Sequence, residues 1–216
     1  MKPFACLFDL DGTLIDPKLG ITNSFIYALN RFGLTAEPDE LLHIIGPPLR
    51  HSFSRGYGFD SVKTEEAVRL YREYFSQKGI YENTLYPGIS SILEELHSSG
   101  VKIALATSKV REYAIEILRY HSILRFFDFV SGSEMDGSRS EKNEVITFAL
   151  DNLNVSDLSG VVMIGDRCYD ITGATQAGIS SIGVLYGYGS ESELAGADNI
   201  VGTVSELAVF LRTYCK

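Results

Sequence analysis

The feature that most constrains the fold is an alternation of short apolar runs with amphipathic stretches along most of the 216-residue chain. The apolar runs have the length of strands, and they are apolar throughout rather than at every second position. Such strands are buried on both faces, as in a parallel sheet that helices cover on each side. We therefore predict a doubly wound α/β protein with strands at residues 4–8, 101–106, 126–130, 161–164, 179–184 and 199–201.

One long interval breaks this alternation. About ninety residues separate the first two predicted strands, whereas a crossover between parallel strands needs only about a dozen or so plus its helix. Apolar residues recur there at helical spacing on both sides of a break at Gly46-Pro47-Pro48. We interpret residues 17–83, called here the helical insert, as a cap domain within a core domain formed by residues 1–16 and 84–216. A cap that follows the first strand directly can act as a lid over the strand ends.

Charge and hydropathy exclude several classes of partner. The formal net charge is −9, and no run of Lys and Arg interleaves with aromatic residues, so we expect no nucleic-acid binding. We see no N-terminal leader and no apolar run long enough to span a bilayer, so we expect a soluble cytoplasmic protein that does not bind membranes. The oligomeric state does not follow from these features.

Two pairs of acidic residues follow predicted strands. Asp9 and Asp11 come after the first strand, and Asp166 and Asp170 come after the strand at 161–164. One such pair is as consistent with a polar turn as with a site. Two pairs at the carboxyl ends of parallel strands would converge, because ligands bind at that edge of a doubly wound sheet. Four carboxylates repel one another unless a cation compensates them, and oxygen ligands favour Mg²⁺ over zinc or copper.

Groups that could bind an anion follow other strands. Thr107 and Ser108 end the strand at 101–106 and are predicted to begin a helix, where they could bind phosphoryl oxygens or simply cap the helix. Lys142 follows Ser138 and Glu141 at capping-box spacing, which predicts that it lies in the first helical turn. The helix dipole disfavours a cation there. Lys142 is therefore either directed at an anion or an ordinary solvated lysine.

Taken together, these segments resemble the four motifs of the haloacid dehalogenase superfamily in order and spacing. The motif segments are Phe8-Asp9-Leu10-Asp11-Gly12-Thr13, Ala106-Thr107-Ser108-Lys109, Glu141-Lys142 and Gly165-Asp166-Arg167-Cys168-Tyr169-Asp170. The resemblance covers nearly the whole chain, and it implies a Rossmann-like core with the helical insert as its cap. Residues 46–50, 86–89 and 183–189 are similar to the phosphoglycolate-phosphatase-like branch and to the nearby 5′-nucleotidase-like proteins.

The resemblance implies a role for each matching residue. Asp9 would be the nucleophile that forms an aspartyl-phosphate, and Asp11 the general acid and then the base. The implied Mg²⁺ ligands are Asp9, the backbone carbonyl of Asp11, Asp166 and Asp170, the last as a ligand or an outer support. The implied substrate-binding residues are Thr107, Ser108 and Lys142, of which Thr107 and Lys142 also act in catalysis.

The resemblance thus predicts a Mg²⁺-dependent phosphomonoester hydrolase for a small phosphorylated metabolite, similar to phosphoglycolate phosphatase. Alternatives are a 5′-nucleotidase-like phosphatase, and with less support a sugar phosphomutase or a phosphate-accepting signalling module without turnover. Asp11 argues against a 2-haloacid dehalogenase, which does not use this second acid. Our hypothesis for specificity is that Arg50, beside the Pro/Gly break of the helical insert, pairs with an anionic group on the leaving part of the substrate; an exposed helix-start arginine is the equal alternative.

Overall fold

The computed structural model describes residues 5–155 and 157–214. Phe4, the first residue of the first predicted strand, lies outside the described residues. The strands are β1 (Ala5–Phe8), β2 (Ile15–Asp16), β3 (Thr84–Leu85), β4 (Lys102–Val110), β5 (Phe129–Ser133), β6 (Val161–Gly165), β7 (Ser180–Val184) and β8 (Asn199–Val201). The helices are α1 (Lys18–Asn30), α2 (Leu49–Gly56), α3 (Ser61–Gln77), α4 (Ile89–Ser98), α5 (Arg111–Tyr120), α6 (Lys142–Leu153), α7 (Cys168–Ala177), α8 (Glu191–Leu194) and α9 (Val204–Tyr214).

Over the described residues, six parallel strands form the main sheet in the order β5-β4-β1-β6-β7-β8. From β1 the chain adds β4 and β5 on one side and then returns to add β6, β7 and β8 on the other. The strand order therefore reverses between β1 and β6. Ligands of doubly wound sheets bind outside the carboxyl ends of the strands at this reversal.

Both faces of the sheet are covered, which confirms the predicted doubly wound class. Successive side chains of a strand point to opposite faces. Ala5 and Leu7 pack with α6 and α7 on one face, whereas Cys6 and Phe8 join the larger cluster that includes α4 and α5. All four residues are fully buried. An apolar run buried on both faces is the pattern that predicted this arrangement.

The helical insert contributes aromatic side chains to the larger hydrophobic cluster. Helix α1 packs against α3, and the buried rings of Phe25 and Phe53 stack with centroids 4.1 Å apart. The segments on either side of the insert pair with each other as the antiparallel strands β2 and β3. The sequence patterns above do not predict this two-stranded ribbon.

Two strands differ from their predicted bounds by more than two residues. Strand β4 continues to Val110, because Val110 pairs with Ser133 beyond an irregularity in the ladder. Strand β5 begins at Phe129 rather than at 126, because residues Leu124–Phe126 form a 3₁₀ turn. None of the helices in the described ranges is long and apolar enough to cross a bilayer.

Candidate active site

The reversal point of the sheet places two acids side by side. Asp9 follows β1 and Asp166 follows β6, the two strands between which the order reverses. The backbone N–H of Asp9 donates to the Ile164 carbonyl at 2.9 Å, so the pairing of the two strands extends to the first acid. The acids therefore emerge at neighbouring positions on one edge of the sheet.

A tight turn follows Asp9 and depends on Gly12. Gly12 has φ of +86°, a conformation that L side chains rarely adopt. A Cβ atom at this position would lie only 2.2 Å from Oδ2 of Asp166. Glycine is thus required both for the turn and for the close approach of the Asp166 carboxylate.

Three buried carboxylates meet at this edge. Asp9, Asp166 and Asp170 each offer an oxygen, and these oxygens lie within 4.8 Å of one another. Asp170 belongs to the first turn of α7, one helical turn beyond Asp166. The side chain of Asp11 does not join this group, in keeping with the implied role of its backbone carbonyl alone.

Lys142 lies among these carboxylates and is buried with them. Its Nζ is 2.7 Å from Oδ1 of Asp9 and 2.7 Å from Oδ1 of Asp170, and it donates to the Ala106 carbonyl at 3.1 Å. The alternative of a solvated surface lysine is therefore wrong. One ammonium compensates only part of the charge of three carboxylates.

The pKa values of these carboxyl groups reflect both their burial and this shortage of positive charge. Burial, reinforced by the charges of Asp170 and Asp9, raises the pKa of Asp166 well above its ordinary value. Burial also raises the pKa of Asp170 to about 6, although Lys142 opposes the shift. For Lys142, burial by itself lowers the pKa, but the charges of Asp170 and Asp9 outweigh it and raise the pKa.

These residues fit a divalent cation. Oδ1 of Asp166 is buried and has no hydrogen-bond partner in the described part of the chain. A buried carboxylate oxygen without a partner is costly unless an ion or water satisfies it. The donors are hard oxygens, which suit Mg²⁺ better than softer metals.

Lys142 reaches the cluster from the start of α6, as predicted, but the predicted cap is wrong. The N-cap is Glu141, whose backbone N–H donates to the Glu144 carboxylate at 3.2 Å. The Ser138 hydroxyl instead donates to the Asp136 carboxylate at 2.7 Å. Ser138 is thus engaged in a local turn and is not available to cap the helix.

Thr107 and Ser108 both line the cleft in front of the acids. Thr107 is buried, and Ser108 is half-buried. They lie inside β4 and not at the start of a helix, because α5 begins only at Arg111. Both residues thus line the site although the predicted local structure is wrong.

Lys109 is a member of the site that the sequence analysis assigned no role. Its Nζ lies 2.6 Å from Oδ2 of Asp11, and only 9% of the Lys109 side chain is exposed. Burial raises the pKa of Asp11, against the opposing charge of Lys109. Each acid of the first motif therefore has its own lysine, Lys142 for Asp9 and Lys109 for Asp11. The sequence did offer one indication of this role: Lys109 lies shortly after the predicted strand at 101–106, which ends at the same edge of the sheet as the acids.

The cleft encloses about 180 Å³ between the strand ends and the helical insert. Arg50 lines it, and its guanidinium pairs with the Glu65 carboxylate at 2.7 and 2.9 Å. Arg72 also lines the cleft and donates to the Met135 carbonyl at 2.8 Å. Nothing in the sequence indicates this contact, because Arg72 lies within a charged amphipathic helix. Both arginines come from the helical insert.

The fold and these motifs define the class of protein. The family model described as haloacid dehalogenase-like hydrolase matches residues 6–184. The chain belongs to this family, and it is an enzyme of the phosphatase kind.

Individual proteins of known sequence or structure are also similar to this chain. A 5′-nucleotidase from Pseudomonas aeruginosa is 47% identical over 87% of this chain and 85% of that protein. The tyrosine-protein kinase PtkA from Mycobacterium tuberculosis is 41% identical over 87% of this chain, which spans 64% of that protein. The crystal structure of a predicted phosphatase from Clostridium acetobutylicum superposes with a TM-score of 0.94 at 41% identity, covering 99% of this chain and 100% of that one.

Proposed function

We propose that the protein is a Mg²⁺-dependent phosphomonoester hydrolase that acts on a small phosphorylated metabolite through an aspartyl-phosphate at Asp9. One observation carries this proposal: Asp9 lies at the reversal point of the sheet, paired with Lys142 and close to two further buried carboxylates. This arrangement offers a nucleophile, a cation for phosphoryl oxygens and a metal site within one small volume. Helical residues 17–83 would serve as the cap domain over it.

The first step is attack by a carboxylate oxygen of Asp9 on phosphorus. The new O–P bond forms as the bond from phosphorus to the leaving oxygen breaks, and that oxygen keeps the electron pair. Asp11, in its acid form, gives its proton to the leaving oxygen, so that a neutral alcohol departs. In the second step the Asp11 carboxylate takes a proton from water, which attacks phosphorus and releases Asp9.

Lys142 and Thr107 hold the phosphoryl oxygens while charge develops on them. Ser108, which lines the same cleft, adds a hydroxyl next to them. Asp9, the Asp11 carbonyl, Asp166 and Asp170 would hold Mg²⁺. When bound, Mg²⁺ supplies positive charge that draws the phosphoryl group towards Asp9 and offsets the repulsion between carboxylates.

Nucleoside 5′-monophosphates are the first candidate substrates. The 47% identity to a 5′-nucleotidase supports them. Aromatic side chains also line the cleft, namely Tyr71, Phe75 and Tyr113. Such rings can pack against a ribose or a base.

Phosphoglycolate, the first expectation from sequence, is the second candidate. Arg50 and Arg72 line the cleft and could bind the carboxylate of a short acidic leaving group. Arg50 would then exchange its partner Glu65 for the substrate. With either substrate, the proposed partners are small molecules and not nucleic acids or membranes, and the proposed location is the cytoplasm.

The test is phosphate release from a panel of nucleoside 5′-monophosphates, 2-phosphoglycolate, sugar phosphates and pyrophosphate. The protein is assayed with Mg²⁺ and with EDTA, beside Asp9→Asn and the control Asp151→Asn, an exposed acid on α6. We expect Mg²⁺-dependent release that Asp9→Asn abolishes and Asp151→Asn retains. Release that persists in Asp9→Asn would overturn the proposed nucleophile. Phosphate that stays on Asp9 without release would favour the signalling-module alternative.

The specificity hypothesis is tested by Arg50→Ala on the best substrate of the panel. The matched control is Arg55→Ala, because Arg55 is exposed on the same helix. If Arg50 contacts an anionic leaving group, Arg50→Ala should lower kcat/KM by an amount equivalent to a loss of about 1–3 kcal/mol in transition-state stabilisation. An unchanged kcat/KM would refute the hypothesis.

A further inference from the structure

Asp11 and Lys109 form the second buried ion pair of the site. Lys109 Nζ contacts only one of the two Asp11 carboxyl oxygens, Oδ2, at 2.6 Å. The other oxygen, Oδ1, is buried and has no hydrogen-bond partner among the residues described. The contact thus divides the two oxygens, one held by a cation and one left for another group.

The helical insert also contacts Lys109. The Lys109 Nζ lies 4.8 Å from the centre of the Phe75 ring, within the range of a cation–π contact. Phe75 belongs to α3 and is itself buried. Lys109 is therefore held between an acid of the first motif and an aromatic ring of the insert.

Lys109 also differs from Lys142 in what it can reach. Lys142 is surrounded by Asp9, Asp170 and the Ala106 carbonyl, the side from which a phosphoryl group would be attacked. The ammonium of Lys109 contacts the carboxylate of Asp11, the proposed acid for the leaving oxygen. The two lysines are thus suited to different parts of the reaction.

We propose that Lys109 is a positioning residue that acts through Asp11. By holding Oδ2, it keeps the carboxyl in the orientation in which Oδ1 carries the proton to the leaving oxygen. This inference rests on the proposed function. Within that reaction it assigns Lys109 to the departure of the alcohol and not to the binding of the phosphoryl group.

The experiment compares two substrates that differ in their need for a proton. The first substrate is an alkyl phosphate, here the best nucleoside monophosphate or other alkyl ester of the panel. Its leaving group departs as an alcohol and requires protonation. The second substrate is p-nitrophenyl phosphate, whose leaving group departs as a stabilised phenolate and does not require protonation. For both, kcat/KM includes only the steps up to formation of the aspartyl-phosphate, so hydrolysis of that intermediate does not contribute.

The variants are Lys109→Met and Lys109→Arg, with Lys102→Met as the control, since Lys102 is an exposed lysine of the same strand. We expect Lys109→Met to lower kcat/KM for the alkyl phosphate by about 100-fold, the lower end of the range for general acid catalysis. Its kcat/KM for p-nitrophenyl phosphate should stay near that of the wild type. Lys109→Arg should recover part of the loss, and Lys109→Gln replaces Lys109→Met if the latter does not fold.

A double-mutant cycle with Asp11→Asn tests whether Lys109 acts through Asp11. If it does, Lys109→Met causes no further loss on the alkyl phosphate once Asp11 is already replaced. Equal losses on both substrates, or an undiminished loss in the Asp11→Asn background, would overturn the proposal. Phosphate release by the wild type from neither substrate would overturn the proposed function, and this inference with it.

Discussion

Replacement of Lys142 by methionine tests whether one lysine compensates the buried acids. Methionine keeps the length of the side chain but removes all three contacts of Nζ, with Asp9, Asp170 and the Ala106 carbonyl. Removal of one partner from a buried charge pair costs about 3–5 kcal/mol. For a chain of this length, that loss lowers Tm by about 6–20 °C.

The loss should depend on pH in a defined direction. In the native state the pKa of Asp170 is about 6, above its ordinary value of 3.8. Between these values the native state binds more protons than the unfolded chain, so its stability falls as the pH rises. Without Lys142 the pKa of Asp170 rises further and the same fall extends to higher pH. The difference between wild type and variant should therefore grow from about pH 5 to about pH 8.

The assay is urea unfolding followed by far-UV circular dichroism, in EDTA and in Mg²⁺, at both pH values. The control is Lys102→Met, whose exposed ion pair with Asp128 should contribute at most about 1 kcal/mol. Mg²⁺ should narrow the gap between wild type and Lys142→Met, because a divalent cation replaces the missing positive charge. Equal unfolding free energies of wild type and Lys142→Met in EDTA at the higher pH would refute the argument.

Three further substitutions probe the turn at Gly12, the packing of the helical insert and His121 at the end of α5. Gly12→Ala should weaken Mg²⁺ binding by at least about tenfold in calorimetry, because its Cβ would lie 2.2 Å from Asp166 Oδ2 and its φ is +86°. Phe25→Ala should lower the unfolding free energy by about 3–5 kcal/mol in urea, because it opens a cavity in the core of the insert. Burial lowers the pKa of His121 below 6.5. Because the unfolded chain binds the proton first, wild type should lose Tm as the pH falls through about 6.5, and His121→Gln should lose less.

Each of these expectations has a contradicting result. Wild-type Mg²⁺ affinity in Gly12→Ala would mean that the turn does not position Asp166. A loss below about 1 kcal/mol in Phe25→Ala would mean that the insert contributes little to global stability. If the Tm of wild type and the Tm of His121→Gln fall equally as the pH is lowered, the pH dependence comes from other groups.

Much of the fold is visible in the sequence because local patterns agree with it. Runs such as residues 161–164 are apolar at every position, and β6 is buried on both faces. The boundaries were less predictable. Strand β4 runs on through Thr107 and Ser108 because its neighbour β5 supplies a partner at Ser133, and a partner distant in sequence leaves no mark on the residues themselves.

Some features of the site could likewise be predicted from the sequence, and others could not. Asp9, Asp11, Asp166 and Asp170 could be singled out because each follows a strand, and parallel strands end at one edge of a sheet. The contacts of Arg50 and Arg72 could not be predicted. They depend on how the helical insert lies against the loop at Met135 and on the presence of Glu65, which side-chain packing decides and spacing does not.

The class of fold, the acids at the strand ends and the expectation of a metal can be inferred from the chain alone, because strand periodicity is a local property and charge repulsion a pairwise one. Which lysine pairs with which acid depends on the tertiary packing. Lys142 lies 133 positions from Asp9 and Lys109 lies 98 positions from Asp11. Their pairing follows from the register of β1 against its neighbours and from burial, which makes an unpaired charge costly enough to select its partner.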